Sequence, residues 1–358
     1  MPTGLCRIDS HLPAERLKPM KKIIVFGSNI LDMFFEVPDF SFFSQSGAGA
    51  EDAMHFRTHQ QSPGGKGANQ AVAAAKAGGK VRFYGALGKG AHARFIMENF
   101  KAHGIDTKGI IHTDEPTGCA AIFTKPDGKH KIIVSQGANG LAKASQISDN
   151  QLNSQTILLL QAEMNAAENQ KLMQRGKAAG AQVVLNVAPA KPQSAKTLAC
   201  VDYLIVNEPE AEALAKHLDI TAPSAQAAAR KIADKFKLTC IVTLGENGST
   251  AFRAGVAEPL HTPALAIKVK DTVGAGDAFA GAFAAALAKD APLEIALRHA
   301  AVAGSLACRK FGAQSALPTE AEILAALPKL KGAAMKLSAV TAKRPDTRPS
   351  VPKNKLSV

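Results

Sequence analysis

Residues 271–281 read DTVGAGDAFAG, two glycines between two aspartates directly ahead of an Ala/Phe-rich run. Phe279, Phe283 and Leu287 recur at i, i+4 and i+8, which predicts a helix beginning near Gly274 with that stripe buried. The first-turn N–H groups of such a helix have no intrahelical partner and point outward with the positive end of the dipole. Gly274, Ala275 and Gly276 carry almost no side chain, so a phosphate can approach those N–H groups directly. Asp277 would stand beside it, poorly placed to bind an anion and well placed to take a proton from an attacking hydroxyl. An acid in the first helical turn is equally favourable with the dipole and otherwise idle. Spacing alone leaves both readings open.

Away from this stretch, short apolar runs alternate with helical patterns. KKIIVFGS (21–28) reads as a buried strand; VRFYGAL is followed by HARFIMENFKAHG, and TILLLQ by NAAENQKLMQRGKAAG. QVVLNV, DYLIVN and TCIVTLG are further β-rich runs, with EPEAEALAKHL among the helical stretches between them. Continuous apolar strands alternating with helices predict an α/β fold, a mainly parallel sheet covered on both faces. Two regions break the rhythm. Residues 118–136 hold two strand-like runs around a Pro-Asp-Gly turn, and residues 32–62 are rich in Phe, Ser and Gly without a helical period. Together they predict a small β-sheet lid, from about 33–62 and 113–136. Ile122, Thr124 and Ile133 are expected on its outward face. The expected organisation is an N-terminal extension (1–20), one body (21–330) and a basic, disordered tail (331–358). Met20, followed by two lysines, reads as a translation start in its own right.

Composition narrows the class. Apolar residues make up 46% and charged residues 20%, ordinary for a globular chain. No run reaches the ~18 apolar residues of a membrane span, and the first twenty residues lack the apolar core of a secretion signal. The five cysteines are scattered and never spaced C-x-x-C, which argues for a reducing cytoplasmic setting over disulfides or zinc. The net charge of +13 is uneven: residues 329–358 hold eight Lys/Arg against Asp346 alone. With no Trp and two Tyr, stacking platforms for single-stranded nucleic acid are scarce as well. Specific nucleic-acid binding is not expected.

The glycine motifs exclude the common nucleotide folds. GGKGANQ (64–70) has Gly67 where a P-loop needs Ser or Thr after the lysine. Counting from Gly274 and Gly276, Phe279 stands where the dinucleotide fingerprint needs its third glycine. DTVGAGDAFAG together with SPGGKGANQAVAAAKAG instead resembles the two signatures of the ribokinase-like (PfkB) carbohydrate kinases. The similarity continues in order through GSNILD, LLLQAE, LNVAPA, VNEPEAE, VTLGENG and RKFGAQSALP, over roughly residues 21–327. GGKGANQ, the GAN of Gly137 to Asn139 and NVAPA look most like the ribokinase branch.

The resemblance implies a ribokinase-like three-layer α/β/α sandwich with a β lid, and transfer of phosphate from ATP to a sugar, D-ribose first. By position, it makes Asp277 the catalytic base and the N–H groups of Gly274, Ala275 and Gly276 an anion hole for the transferring phosphoryl group. It puts Asp32, Gly64, Gly65, Lys66, Asn69 and Glu163 on the sugar. It puts Asn207, Thr243, Leu244, Gly245, Glu246, Asn247, Gly248, Gly276 and Ala301 along ATP. Asn207 and Glu210 match an N-x-x-E element near Mg2+, reached through water. Asp271, with Val273, Ala307, Lys310 and Gly312, matches a monovalent-cation (K+) site. A homodimer joined through the lid, in the cytoplasm, is also implied.

Each residue has a plainer reading: Lys66 as a solvated loop lysine, Glu163 as a strand-end acid paired with a lysine, Glu210 as a first-turn helix acid. Three positions depart from the pattern. Ile30 stands where ribokinases often carry Asn, the segment from Asp32 to Gly64 is long, and Ala316 replaces a frequent Ser. The alternatives are therefore a family kinase for another sugar or a nucleoside, and a non-catalytic sugar- or nucleic-acid-binding protein on the same fold.

Overall fold

Strand β1 (Lys22–Phe26) is apolar after its first residue: Ile23 and Val25 enter one hydrophobic core while Ile24 and Phe26 enter another. Alternate side chains leave a strand on opposite faces, so β1 must be covered twice. The computed structural model, which describes residues 19–40, 59–127, 129–330 and 335–336, shows how. The expected extension (1–20) falls almost wholly outside the described residues, as does most of the long segment after Asp32.

The chain runs through β2 (Ile30–Glu36), β3 (His59–Gly64), α1 (Lys66–Lys76), β4 (Lys80–Leu87), α2 (Ala91–Ala102) and β5 (Asp106–His112). A hairpin, β6 (Cys119–Thr124) and β7 (His130–Ser135), follows. Next come β8 (Thr156–Gln161), α3 (Ala166–Ala178), β9 (Gln182–Asn186), α4 (Ala195–Leu198), β10 (Tyr203–Asn207), α5 (Glu208–His217) and α6 (Ala225–Phe236). The last elements are β11 (Thr239–Thr243), β12 (Ser249–Arg253), β13 (Leu260–Thr262), α7 (Ala275–Ala288), α8 (Leu293–Ala307), α9 (Glu320–Ala326) and β14 (Met335–Lys336).

The main sheet has the order β14-β13-β12-β11-β10-β9-β8-β1-β4-β5. From β11 to β5 every pairing is parallel, and β12, β13 and β14 extend it antiparallel. One core joins β1 to α1, α2, α7, α8 and α9, the other to α3, α5 and α6, giving helix, sheet and helix layers. Helix α7 forms as its spacing predicts, but the burial is not confined to the Phe279–Phe283–Leu287 stripe. Every residue from Asp277 to Ala288 is buried, because alanines fill the other faces between α1 and α8.

The chain leaves β1 toward β4 and β5 on one side, then returns to β8 on the other. That reversal opens a crevice at the carboxyl ends of β1 and β8, the usual ligand position in such sheets. The second sheet, β3-β2-β6-β7, is the small β sheet expected from the broken rhythm. Its face assignment needs a correction. Register pairs Ile122 with Ile132 and Ala121 with Ile133, so Ile122 and Ile133 lie on opposite faces. Ile122 and Thr124 share the face of Asp32, since β2 and β6 align Asp32 with Ala120 and Phe34 with Ile122. A one-residue difference in register exchanges the faces, and composition cannot specify it.

One described pair of residues falls within the expected tail. Met335 and Lys336 pair with His261 and Leu260 of β13, so a structured residue pair lies inside the expected tail. Backbone pairing to an open sheet edge needs no side-chain pattern, hence no signal in the sequence.

Candidate active site

Three glycines let the backbone close around the crevice. Gly65, at φ 88°, turns the end of β3 into α1, a left-handed conformation that side chains resist. A Cβ on Gly67 would lie 2.6 Å from the backbone of Gly27, so α1 starts directly against the end of β1. Within α7, a Cβ on Gly281 would meet the Ala73 Cβ at 2.5 Å and the Gln70 carbonyl oxygen at 2.7 Å. Helices α1 and α7 therefore touch backbone to backbone. This contact brings Asn69 and Gln70 to Asp277.

Asp277 is buried in the first turn of α7, and both its oxygens are held by amides. Asn69 Nδ2 donates to Oδ2 at 3.0 Å and Gln70 Nε2 to Oδ1 at 2.9 Å. Burial pushes its pKa above the usual carboxylate value, opposed by Lys66 and the two amide hydrogen bonds. Such a group is poised to take up a proton. Beside it, Gly274 caps α7 at φ 78°, with its would-be Cβ 3.0 Å from Ala313 Cα. A Cβ on Gly276 would meet nothing within 4 Å. The helix start is thus backed by the loop at Ala313 and open at Gly276, ahead of the carboxylate.

Asp32, Lys66 and Glu163 come together at the same place. Asp32 lies over Gly64, where a Cβ would run into its carboxylate, so a larger residue there would push that carboxylate aside. Burial, reinforced by Glu163 and Asp277 and opposed by Lys66, pushes Asp32 up to about 7. Burial pulls the Lys66 ammonium down, but Asp277, Glu163, Glu210 and Asp32 outweigh it and leave its pKa above the ordinary lysine value. Lys66 is therefore no solvated loop lysine. Glu163 Oε2 accepts from the Lys66 backbone N–H at 2.9 Å and from Ser28 Oγ. Ile30 alternates with Asp32 along β2 and is buried, presenting hydrocarbon where an amide was missing.

Asn207 and Glu210 form a capping box on α5, Asn207 Oδ1 accepting from Glu210 N–H and Glu210 Oε2 from Asn207 N–H, both at 2.8 Å. This is the first-turn role allowed for Glu210, yet burial also pushes its carboxyl up, against the Asn207 N–H bond and Lys66. Its Oε1 makes no hydrogen bond to a described residue. Thr243 ends β11, followed by Leu244, a 3-10 turn over Gly245–Asn247 that includes Glu246, and Gly248. A Cβ on Gly248 would lie 2.1 Å from the Thr262 carbonyl oxygen, pinning this turn to the segment after β13. Ala301 lies on α8 four residues before Ser305, whose Oγ accepts from Leu265 N–H at 3.0 Å. Asp271 joins two loops: Oδ1 accepts from Val273 N–H at 3.0 Å and Oδ2 from Gly312 N–H at 2.9 Å. Ala307 ends α8 just before the second of them, which carries Lys310, and Ala316 is buried beyond it.

Of the two amides that hold the base, the sequence reading put Asn69 on the sugar and missed Gln70. Gln70 Nε2 also donates to Asn186 Oδ1 (2.9 Å), and Gln70 Oε1 accepts from Gln161 Nε2 (2.8 Å). On the other side Gln314 Nε2 donates to Asn69 Oδ1 (2.9 Å) and Asn99 Nδ2 to Gln314 Oε1 (2.7 Å). Polar amides inside apolar stretches, such as Gln161 closing TILLLQ, were the available signal. Asn139 of the GAN stretch has a bracing role, its side chain bonding both N–H and carbonyl of Asn29.

Known proteins are similar to this chain over most of its length. A ribokinase of Haemophilus influenzae is 33% identical over 307 residues, 85% of this chain and 97% of its own. One of Lactococcus lactis is 34% identical over 316 residues, 87% of this chain and 99% of its own. The structure is similar to Arabidopsis thaliana ribokinase complexed with ribose and ATP, with a TM-score of 0.76 and 31% identity over 86% of this chain and 99% of that one. The model of the pfkB family of carbohydrate kinases matches residues 20–320. The chain belongs to the pfkB family of carbohydrate kinases.

Proposed function

We propose that this protein transfers the γ-phosphoryl group of ATP to the 5-hydroxyl of D-ribose. The observation that carries the reading is the Asp277 carboxylate, clamped by two amides and adjoining the open helix start at Gly276. Asp32, Lys66, Glu163 and Asn69 line the same crevice and would hold the sugar hydroxyls. As the 5-oxygen forms its bond to the γ-phosphorus, Asp277 takes the hydroxyl proton, and the bond to the bridging oxygen of ADP breaks. The N–H groups of residues 274–276 then stabilise the charge on the phosphoryl oxygens. The turn from Thr243 to Gly248 and the α8 surface at Ala301 would receive the nucleotide.

Two ions fit the residues present. Glu210 has an oxygen left over from its capping box and would hold Mg2+, with Asn207, through water; the ion supplies charge neutralisation at the phosphates. Among the described residues no three His, Cys, Asp or Glu cluster as a metal site. A K+ ion would rest on Asp271 and on the carbonyls of Val273, Lys310 and Gly312 in the two loops that Asp271 ties together, with that of Ala307 at the end of α8.

We extend the proposal to a homodimer. Strand β7 is a sheet edge on which Ile132, Ile133 and Val134 are 51, 55 and 54% exposed, three consecutive apolar residues that a second copy would cover. Among the described residues no helix is long and apolar enough to cross a membrane; a cytoplasmic setting is proposed from cysteine usage alone.

A coupled ADP-release assay over pentoses, 2-deoxyribose, hexoses and nucleosides tests the substrate. D-Ribose should give the highest kcat/KM. Preference for a nucleoside, or no sugar-dependent ADP release, overturns the reading.

A further inference from the structure

An ionised carboxylate only accepts hydrogen bonds. Asn69 must therefore turn its Nδ2 toward Asp277, which sends its Oδ1 the other way. There it meets Gln314 Nε2 at 2.9 Å, and Gln314 in turn points Oε1 at Asn99 Nδ2, 2.7 Å away. Three amides thus stand in series with one polarity, every donor directed toward Asp277. Asn69 and Gln314 are both buried, so neither amide has water as a substitute partner. Were Asn69 turned over, its Oδ1 would press on the carboxylate, an arrangement compatible only with protonated Asp277.

We infer that Gln314 is a positioning residue that selects the ionised, correctly aimed form of the base by fixing the orientation of Asn69. This rests on the reading of Asp277 as base. Gln314 is also well sited to link the base to the anion hole. Ala313, next to it, backs Gly274, and Gly312 binds Asp271. One loop thus supports both halves of the proposed chemistry. It also leaves Asn69 a second Nδ2 hydrogen with which to donate to a sugar hydroxyl.

The charged groups acting on Asp277 are Lys66 from α1, Glu163 beyond β8, Asp32 from β2 and Glu210 from α5. Helix α8 meets its turn with Gly304, and the sheet with the neutral Asn186 through Gln70. None of these groups is altered by Gln314→Met, whereas Gln314→Glu adds a buried carboxylate whose charge also opposes ionisation of Asp277.

The test is the pH dependence of kcat at saturating ribose and ATP, which reports groups in the bound complex, with Asp32 already committed to the sugar. Gln314→Glu keeps size but offers Asn69 an acceptor, turning its amide over. Its acidic limb should move up by about one pH unit, about a tenfold loss below the limb, with kcat above the limb within about threefold of wild type. Gln314→Met, which removes the partner without reversing it, should move the limb in the same direction by less. If Gln314→Met keeps the wild-type limb while Asp277→Asn is inactive, the inference is wrong and the base assignment stands, whatever the limb of Gln314→Glu does, because its added charge moves that limb by itself. If Asp277→Asn retains turnover, the base assignment itself fails. Should Gln314→Glu not fold, the limb of Gln314→Met decides, an unmoved limb overturning the inference.

Discussion

At the residue scale, the crevice holds more negative charge than the fold alone would choose. Asp32, Glu163, Glu210 and Asp277 surround one ammonium, Lys66. The shift of Asp32 from 3.8 to about 7 has a definite sign for stability. Between those pH values the native chain binds more protons at Asp32 than the unfolded chain does. Its contribution is therefore fully present below about pH 4 and is lost as pH rises through about 7. Asp32→Asn removes the charge and keeps the shape. It should melt a few degrees above wild type at pH 8, with the gap closing toward pH 5, while KM for ribose rises at least about tenfold. Thermal unfolding at the two pH values checks the first part and steady-state kinetics the second. A wild type more stable than the variant at pH 8 contradicts it.

At the element scale, the site depends on how closely two helices meet. Gly281 has the Ala74 backbone nitrogen 2.7 Å from its would-be Cβ, and backbone does not move aside as a side-chain tip can. Gly281→Ala should force α1 and α7 apart, costing about 1–3 kcal/mol by overpacking. Because Asn69 and Gln70 ride on α1, kcat should fall more than the sugar KM rises. Denaturant unfolding and kinetics measure both, and an unchanged midpoint would contradict the contact. Helix α7 was legible because its stripe and its glycines are local in sequence. Asp277, Asp32, Lys66 and Glu163 were legible through motif order rather than periodicity. The amides at Asn99, Gln161, Asn186 and Gln314 were not, because each meets its partner only after the sheet has assembled. β14 escaped for a related reason, its pairing being backbone only.

At the scale of the whole molecule, the main sheet supplies the crevice and the second sheet supplies Asp32. The exposed edge at β7 is where the proposed dimer would form. A homodimer should scatter light at micromolar concentration with twice the chain mass of 37.4 kDa. Ile133→Asp, with its charge on the face away from Asp32, should shift the mass toward one chain while each protomer stays folded. A wild type already monomeric at that concentration, with full activity, would mean that the edge needs no second copy.

Whether Asp277 is the base of an ATP-dependent sugar kinase is decided by Asp277→Asn. The amide is nearly isosteric, so the variant should fold and bind ATP as wild type does. Its ADP release with D-ribose should fall by about 10² to 10⁴, the usual cost of losing a positioned general base. A folded variant that phosphorylates ribose within a few-fold of the wild-type rate would contradict the account.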